Sequence, residues 1–361
     1  MQFRKNILPL KPYVPGKPIE EVKRELGLKK VTKLASNENP YGPSPKVREA
    51  VARAVKTLNR YPDGGCYQLR RFLGKRFHVG LNQIIFGNGS DEIIGMALRA
   101  LVEPGDEVIV AKPSFLMYSI SAQVAGANVK EIPLRDFRYD LNEMRMAVTP
   151  KTKIIFIGNP DNPTGTYVLK TEAEKFLKEI PSDVLIFFDE AYFEFVTAPD
   201  YPDSLSLLRQ HKNMIVTRTF SKLYGLAGLR IGYGLADVQV IDFLNRVREP
   251  FNVNSLAQAA AMACLKDQHY YQRIVDILVK QRQYLYQQLS RLKISFVKTE
   301  TNFILIDVKR DGHKVFGQLL KRGVIVRDMG AWGLKNFIRV TIGTQEENLK
   351  FIEALRQILG N

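Results

Sequence analysis

Thr219-Phe220-Ser221-Lys222-Leu223-Tyr224-Gly225-Leu226-Ala227-Gly228-Leu229-Arg230 is the stretch on which the reading of this chain turns. It follows the apolar, β-branched run Met214-Ile215-Val216-Thr217, so a lysine stands just past a strand. Hydroxyls flank it, and glycines and an arginine follow. A lysine amine attacks carbonyls, and an arginine fork pairs with phosphate. Pyridoxal 5′-phosphate (PLP) offers both groups. Most lysines are solvated surface groups, so Ser-Lys alone carries little weight. The reading rests on what surrounds it.

The bulk properties bound the answer. A chain of 361 residues is too long for one small core, and two domains are expected. Its 45% hydrophobic and 25% charged residues are ordinary for a globular protein. No apolar run approaches the ~20 residues that span a bilayer, so no membrane partner is expected. The start, Met1-Gln2-Phe3-Arg4-Lys5-Asn6, meets Pro9 and Pro12 before an apolar stretch forms and does not read as a secretory signal. Cys66 and Cys264 fit neither a metal nor a disulfide pattern, and reduced thiols in a cytoplasmic protein are expected, with no metal. Net charge is +16 and the pI about 9.6. The basic residues are interleaved with acids, with no basic tail, so the expectation is a solvated basic surface that attracts anionic substrates rather than nucleic acid.

From Val31 the pattern alternates strand and helix, which argues for a mainly parallel sheet covered by helices. Strands are expected at 84–86, 107–111, 153–157, 184–188, 214–217 and 230–235, and a helix at 91–102. The runs at 153–157 and 184–188 are apolar and β-branched enough to be buried on both faces. After Pro250 the character changes. Helices are expected at 254–265, 270–292 and 346–359, and strands at 294–297, 302–308, 324–327 and 337–342. The expected division is an N-terminal arm at 1–30 with a helix at 19–26, a large domain at 31–250, and a smaller α+β domain at 251–361 to which the arm contributes.

Four features fall at strand ends, where open α/β sheets build ligand sites. Gly87-Asn88-Gly89-Ser90-Asp91-Glu92 leaves a strand and opens a helix whose free N–H groups suit an anion, although Ser90 or Asp91 as a plain helix cap explains it equally. Asn159-Pro160-Asp161-Asn162-Pro163-Thr164-Gly165 is a stiff loop that aims an amide or is simply a turn. Asp189-Glu190-Ala191-Tyr192 ends a buried strand. A carboxylate there needs a partner, which is either a protonated pyridine nitrogen or a protein arginine. The fourth feature is the lysine run. Together, in this order, they point to PLP chemistry.

On these motifs the chain resembles fold-type I PLP-dependent aminotransferases, and more narrowly the histidinol-phosphate aminotransferase family. The resemblance covers nearly the whole chain and includes Leu10-Lys11-Pro12-Tyr13, Asn37-Glu38-Asn39-Pro40-Tyr41-Gly42, Tyr61-Pro62-Asp63-Gly64, Thr301-Asn302-Phe303 and Ile338-Arg339-Val340-Thr341. It implies an α/β fold: a large domain with a mainly parallel, seven-stranded type of sheet covered by helices, plus the smaller α+β domain. It implies Lys222 as the Schiff-base lysine and proton shuttle, Asp189 facing the pyridine nitrogen, and Asn162 and Tyr192 on the phenolic oxygen. Phe115 would stack on the ring. Ser90, Asp91, Thr219, Ser221 and Arg230 would line the phosphate, with Tyr61 reaching it from the other subunit of a homodimer with shared sites. Tyr13, Asn39, Arg327 and Arg339 would face substrate. Asp161 departs from the Asn-Pro-Asn-Asn-Pro of many relatives and reads as a neutral loop change. The Gly330-Ala331-Trp332-Gly333 loop falls in a variable region.

The implied reaction is ping-pong transamination between histidinol phosphate and 2-oxoglutarate. An aromatic amino acid (Phe/Tyr) aminotransferase is the alternative, because it too needs an anion clamp and a flat ring pocket. A lyase or decarboxylase on the same fold, a PLP-binding sensor and a nucleic-acid binder are further readings. No helix-turn-helix arm precedes Val31, and the acid, amide and lysine are all present.

Overall fold

The computed structural model describes residues 1–10, 12 and 16–360. Its strands, in chain order, are β1 Thr32–Lys33, β2 Ile84–Gly87, β3 Glu107–Lys112, β4 Asn128–Pro133, β5 Thr152–Gly158, β6 Leu185–Asp189 and β7 Met214–Thr219. They continue with β8 Gly232–Ala236, β9 Ser295–Val297, β10 Phe303–Asp307, β11 Val324–Ile325, β12 Arg327–Asp328 and β13 Phe337–Thr341. Among the described residues they form three sheets.

The apolar runs become the middle of a seven-stranded sheet, ordered β2-β8-β7-β6-β5-β3-β4. β6 and β7 are buried along their whole length, as strands covered on both faces must be. Only β8 runs against its neighbours, so the expected mainly parallel α/β sheet is what forms. The register decides the chemistry. Gly158 of β5 is paired with Asp189 of β6, and Asp189 with Thr217 of β7. The ends of three adjacent strands therefore lie in one row.

Two spans differ from expectation. The strand expected from Arg230 starts at Gly232, because Arg230 takes φ +57° and leaves the ladder. A Cβ at Gly232 would sit 2.6 Å from the Ser90 nitrogen, so only glycine lets this strand pass the neighbouring helix start. The single strand expected at 324–327 is two. β11 pairs in parallel with β1, and β12 pairs with β13 in a four-stranded antiparallel sheet ordered β12-β13-β10-β9. The chain switches partners at buried Val326.

The helix Gln268–Arg291 lays Tyr271, Ile274, Val275, Leu278, Leu285 and Leu289 along one buried stripe. One core runs from Ile155 and Phe188 under the large sheet to Phe303, Val340 and Phe351, so the two sheets pack as one body. The N-terminal helix Ile19–Leu26 buries Val22 against Ala35 and Ile325. Among the described residues no helix is long and apolar enough to cross a membrane. Both cysteines are buried and free.

The loop after β5 meets the segment before β10 at Gly165. Its φ is +78°, its carbonyl accepts from the Glu300 N–H at 2.9 Å, and a Cβ there would fall 2.0 Å from Thr299 Oγ1. Gly165→Ala is therefore expected to lower unfolding stability by about 2 kcal/mol or more, from left-handed strain plus overpacking. Urea denaturation measures it, and an unchanged midpoint would refute the contact.

Candidate active site

Gly158 and Asp189 floor a cleft at the carboxyl end of the large sheet, and Thr217 is buried beside them in the same row. Asp189 is 5% exposed. Its Oδ2 accepts from Tyr118 OH at 2.8 Å and its Oδ1 from Thr217 Oγ1 at 3.2 Å. Burial pushes its carboxyl up to about 6, although the Tyr118 hydroxyl pulls the other way. The neighbouring Glu190 takes the arginine instead: Arg218 Nε donates to it at 2.8 Å, and that pair is almost wholly buried. Asp189 is thus a buried carboxylate whose hydrogen-bonding side chains are hydroxyls, the setting that suits a cationic ring nitrogen.

One end of the cleft is built for an anion. The helix Ser90–Leu101 begins after Gly89, and no side chain caps it, so the plain-cap reading of Ser90 and Asp91 does not hold. Its first N–H groups stay available. Arg230 reaches the same place, with its guanidinium 3.4 Å from Ser221 Oγ and 3.2 Å from Asp91 Oδ2. Thr219 and Ser221 bring hydroxyls from the β7 end.

Lys222 Nζ lies in the middle, 3.4 Å from the Ser36 carbonyl and 5.6 Å from the centre of the Tyr192 ring. Tyr192 OH accepts from Asn37 Nδ2 at 2.9 Å, which leaves its own proton to donate. Asn162 Oδ1 accepts from Arg339, which leaves Nδ2 as the donor end of that amide. Arg339 also donates to the Ala35 carbonyl at 3.0 Å and lies over the Phe303 ring. Arg327 is its cross-strand partner in the β12–β13 register, stacked 5.2 Å over Trp332. Trp332 is held in turn by Nε1 donating to the Ser114 carbonyl at 2.9 Å.

Two adjoining cavities result, of about 220 and 110 Å³, which share Ser36, Phe115, Asn162, Tyr192 and Lys222. The first also takes in Ser90, Asp91, Asp189, Thr219, Ser221 and Arg230, and the second Arg327 and Arg339. A larger cavity of about 800 Å³ opens elsewhere, beside Phe77, Tyr201 and His269, and contains no lysine. The chemistry lies in the smaller pair.

Two expected residues, Asn39 and Tyr61, are not in this group. Asn39 lines neither cavity: its amide donates to the Leu223 carbonyl at 2.6 Å and its Oδ1 accepts from Tyr41 N, so it braces a turn. Asn37, at φ +56°, turns toward the cleft in its place. Tyr61 is 82% exposed and stacks on Phe251, outside the cleft of its own chain. Tyr13 lies outside the described residues. Tyr118, Thr217, Asn37 and Trp332 were not singled out for the site from the sequence. Among these, only the Asn37 position in the Ser36-Asn37-Glu38-Asn39 run offered a signal.

Comparison with known proteins gives the family of the chain. A family model described as aminotransferase class I and II matches residues 29–355. A histidinol-phosphate aminotransferase of Moorella thermoacetica is 51% identical over 99% of this chain and 92% of its own length. One of Caldicellulosiruptor saccharolyticus is 45% identical over 99% of this chain and 100% of its own. The crystal structure of histidinol-phosphate aminotransferase from Sinorhizobium meliloti in complex with pyridoxal-5′-phosphate superposes with TM-score 0.92 at 27% identity, covering 99% and 98% of the two chains.

The anion end can be tested without any substrate. Gly89 has φ +81°, and a Cβ there would sit 2.5 Å from Arg230 Nη2. Gly89→Ala is expected to displace Arg230 and weaken inorganic phosphate binding about tenfold, the worth of one charge-assisted hydrogen bond. Calorimetric titration with phosphate reads it, and unchanged affinity would remove Arg230 from the anion site.

Proposed function

The chain belongs to the class I and II aminotransferase family, and from that premise we propose that it is a PLP-dependent histidinol-phosphate aminotransferase. It exchanges the amino group of histidinol phosphate for the oxo group of 2-oxoglutarate, giving imidazole acetol phosphate and glutamate in a ping-pong sequence of histidine biosynthesis. The observation that carries this reading is the convergence on one cleft of Lys222, Asp189 and Arg230, with Arg339 at the other end. The relatives at 45–51% identity bear the histidinol-phosphate name, so the aromatic amino acid alternative is not favoured.

The residues fit the cofactor. An uncapped helix start and Arg230 suit its phosphate, and a buried carboxylate braced by hydroxyls suits its ring nitrogen. Bound there, PLP supplies an electron sink beside the reacting carbon. Asp189 keeps the ring nitrogen protonated. Asn162 and Tyr192 donate toward the phenolic oxygen, and Phe115 covers a ring face. Lys222 Nζ would hold the cofactor at its carbonyl carbon and, once the substrate amine takes its place there, would be free to carry a proton between substrate and cofactor. The planar fork of Arg339 accepts the phosphate of one substrate and a carboxylate of the other, and this lets one site serve both halves of the exchange. Arg327, across the strand pair, assists it. The working unit is a homodimer: exposed Tyr61, stacked on Phe251, completes the partner's phosphate site.

Two outcomes test this reading. Burial holds the Asp189 carboxyl at about 6, so below that pH the acid is neutral, as asparagine is, and above it is charged. The cofactor affinities of wild type and Asp189→Asn should therefore diverge as pH rises through about 6, wild type binding more tightly. Parallel curves would free Asp189 from the ring. Arg339→Lys keeps charge but loses the fork, so kcat/KM for histidinol phosphate and for glutamate should both fall about ten- to two-hundred-fold. Unchanged glutamate kinetics would defeat the shared clamp. Wild type that turns over phenylalanine and tyrosine readily, and histidinol phosphate barely, would reinstate the aromatic alternative.

A further inference from the structure

Beside the ring acid lies a second buried carboxylate. Asp161, whose departure from the relatives' asparagine reads from sequence as a loop change without consequence, is 0% exposed. Four donors converge on it. Oδ1 accepts from Ser114 Oγ at 2.6 Å and from Tyr139 OH at 3.0 Å. Oδ2 accepts from Thr164 Oγ1 at 2.9 Å and Thr164 N at 3.3 Å. No arginine or lysine is among these partners. Burial pushes the carboxyl up, and the Ser114 and Thr164 donors hold it back. Ser114 Oγ and Tyr139 OH also lie 2.9 Å apart, so the acid gathers one connected set of hydroxyls and a main-chain N–H from separate loops.

What it joins explains why this matters. Ser114 belongs to the loop after β3 and immediately precedes Phe115. Thr164 belongs to the loop after β5, which also holds Asn162. Tyr139 OH accepts in addition from the Gly158 N–H at 3.0 Å, tying the cluster to the strand end opposite Asp189. The Ser114 carbonyl is the seat of Trp332, and Asn162 is the partner of Arg339.

We propose that Asp161 is a positioning residue of this site: one buried carboxylate that locks the loop of Phe115 to the loop of Asn162, and through Ser114 and Asn162 sets where Trp332 and Arg339 stand. The lock itself rests on geometry; what Phe115 and Asn162 touch rests on the aminotransferase reading. Asp161 needs no contact with cofactor or substrate. It acts through Ser114 and Thr164, whose donors face it from both loops.

The chain contains a single tryptophan, Trp332, so its fluorescence reports the Ser114 seat directly. In full-length Asp161→Ala, which removes every one of these hydrogen bonds, with circular dichroism unchanged, acrylamide quenching of Trp332 should rise about twofold or more. The dissociation constant for PLP should rise about tenfold, the loss of a charge-assisted hydrogen bond. Glu107→Gln is the control. That carboxylate also accepts from two threonines, Thr149 and Thr152, but at the opposite end of β3, and both readouts should stay at wild-type values. If Asp161→Ala fails to fold, Ser114→Ala carries the same test, with the same two shifts expected at smaller size. Quenching and PLP affinity within twofold of wild type in the folded variant would overturn the proposal, and so would equal shifts in Glu107→Gln. Quenching is read with no amino donor present, so its outcome does not depend on which substrate the enzyme uses. Wild type that binds no PLP would defeat the cofactor reading while leaving the quenching comparison intact.

Discussion

A carboxylate buried at the end of a parallel strand is the constraint around which this molecule is arranged. Taking Asp189 out of water is costly, and the chain offsets that cost with hydroxyls rather than a cation. The hydroxyls come from two directions: Thr217 from the next strand in register, and Tyr118 from the helix Leu116–Ala125 behind. The available arginine, Arg218, goes to Glu190 one residue on, where it also lies 3.6 Å over the Phe193 ring. The protein thus separates two adjacent acids into a structural pair and a site that keeps room for an external cation.

Gly158 shows how closely the two buried acids are set. A Cβ there would lie 3.3 Å from Tyr118 OH, the Asp189 donor, and 3.4 Å from both Asp161 Oδ1 and Tyr139 OH. The end of β5 therefore threads between two hydroxyl-braced carboxylates. One lies in the cleft and the other is hydrogen-bonded to the loops that flank it. Preorganised dipoles of this kind do not have to reorient during reaction, and that is where such sites gain most.

The Arg339 end of the cleft depends on the smaller sheet. The β12–β13 register puts Arg327 opposite Arg339, and the Trp332 turn between those strands docks on the large-sheet loop at Ser114. Two guanidiniums held side by side repel each other unless something separates or neutralises them. Here the Asn162 and Ala35 oxygens take the hydrogen bonds of Arg339, and the Trp332 ring supports Arg327. The arrangement is poised for an anion, and a net charge of +16 gives the whole molecule a field that draws anions in.

Sequence alone determined the α/β class, the strands that form the middle of the sheet, and the lysine, acid and arginine at their ends. These are local signals: apolar β-branched runs, glycine turns, and a charged residue where a strand stops. It did not reveal that Asp161 is buried, because its side-chain donors Ser114, Tyr139 and Thr164 lie 47, 22 and 3 residues away. It did not distinguish Asn37 from Asn39, because a positive φ at Asn37, pinned by Thr341 from the far end of the chain, decides which amide faces the cleft. It left the strand at 324–327 whole, because the break comes from a choice between two partner sheets. Pattern along the chain specifies which residues stand at the ends of elements. Which of them meet depends on sheet register and on the packing of one sheet against the other, and only the tertiary structure decides that.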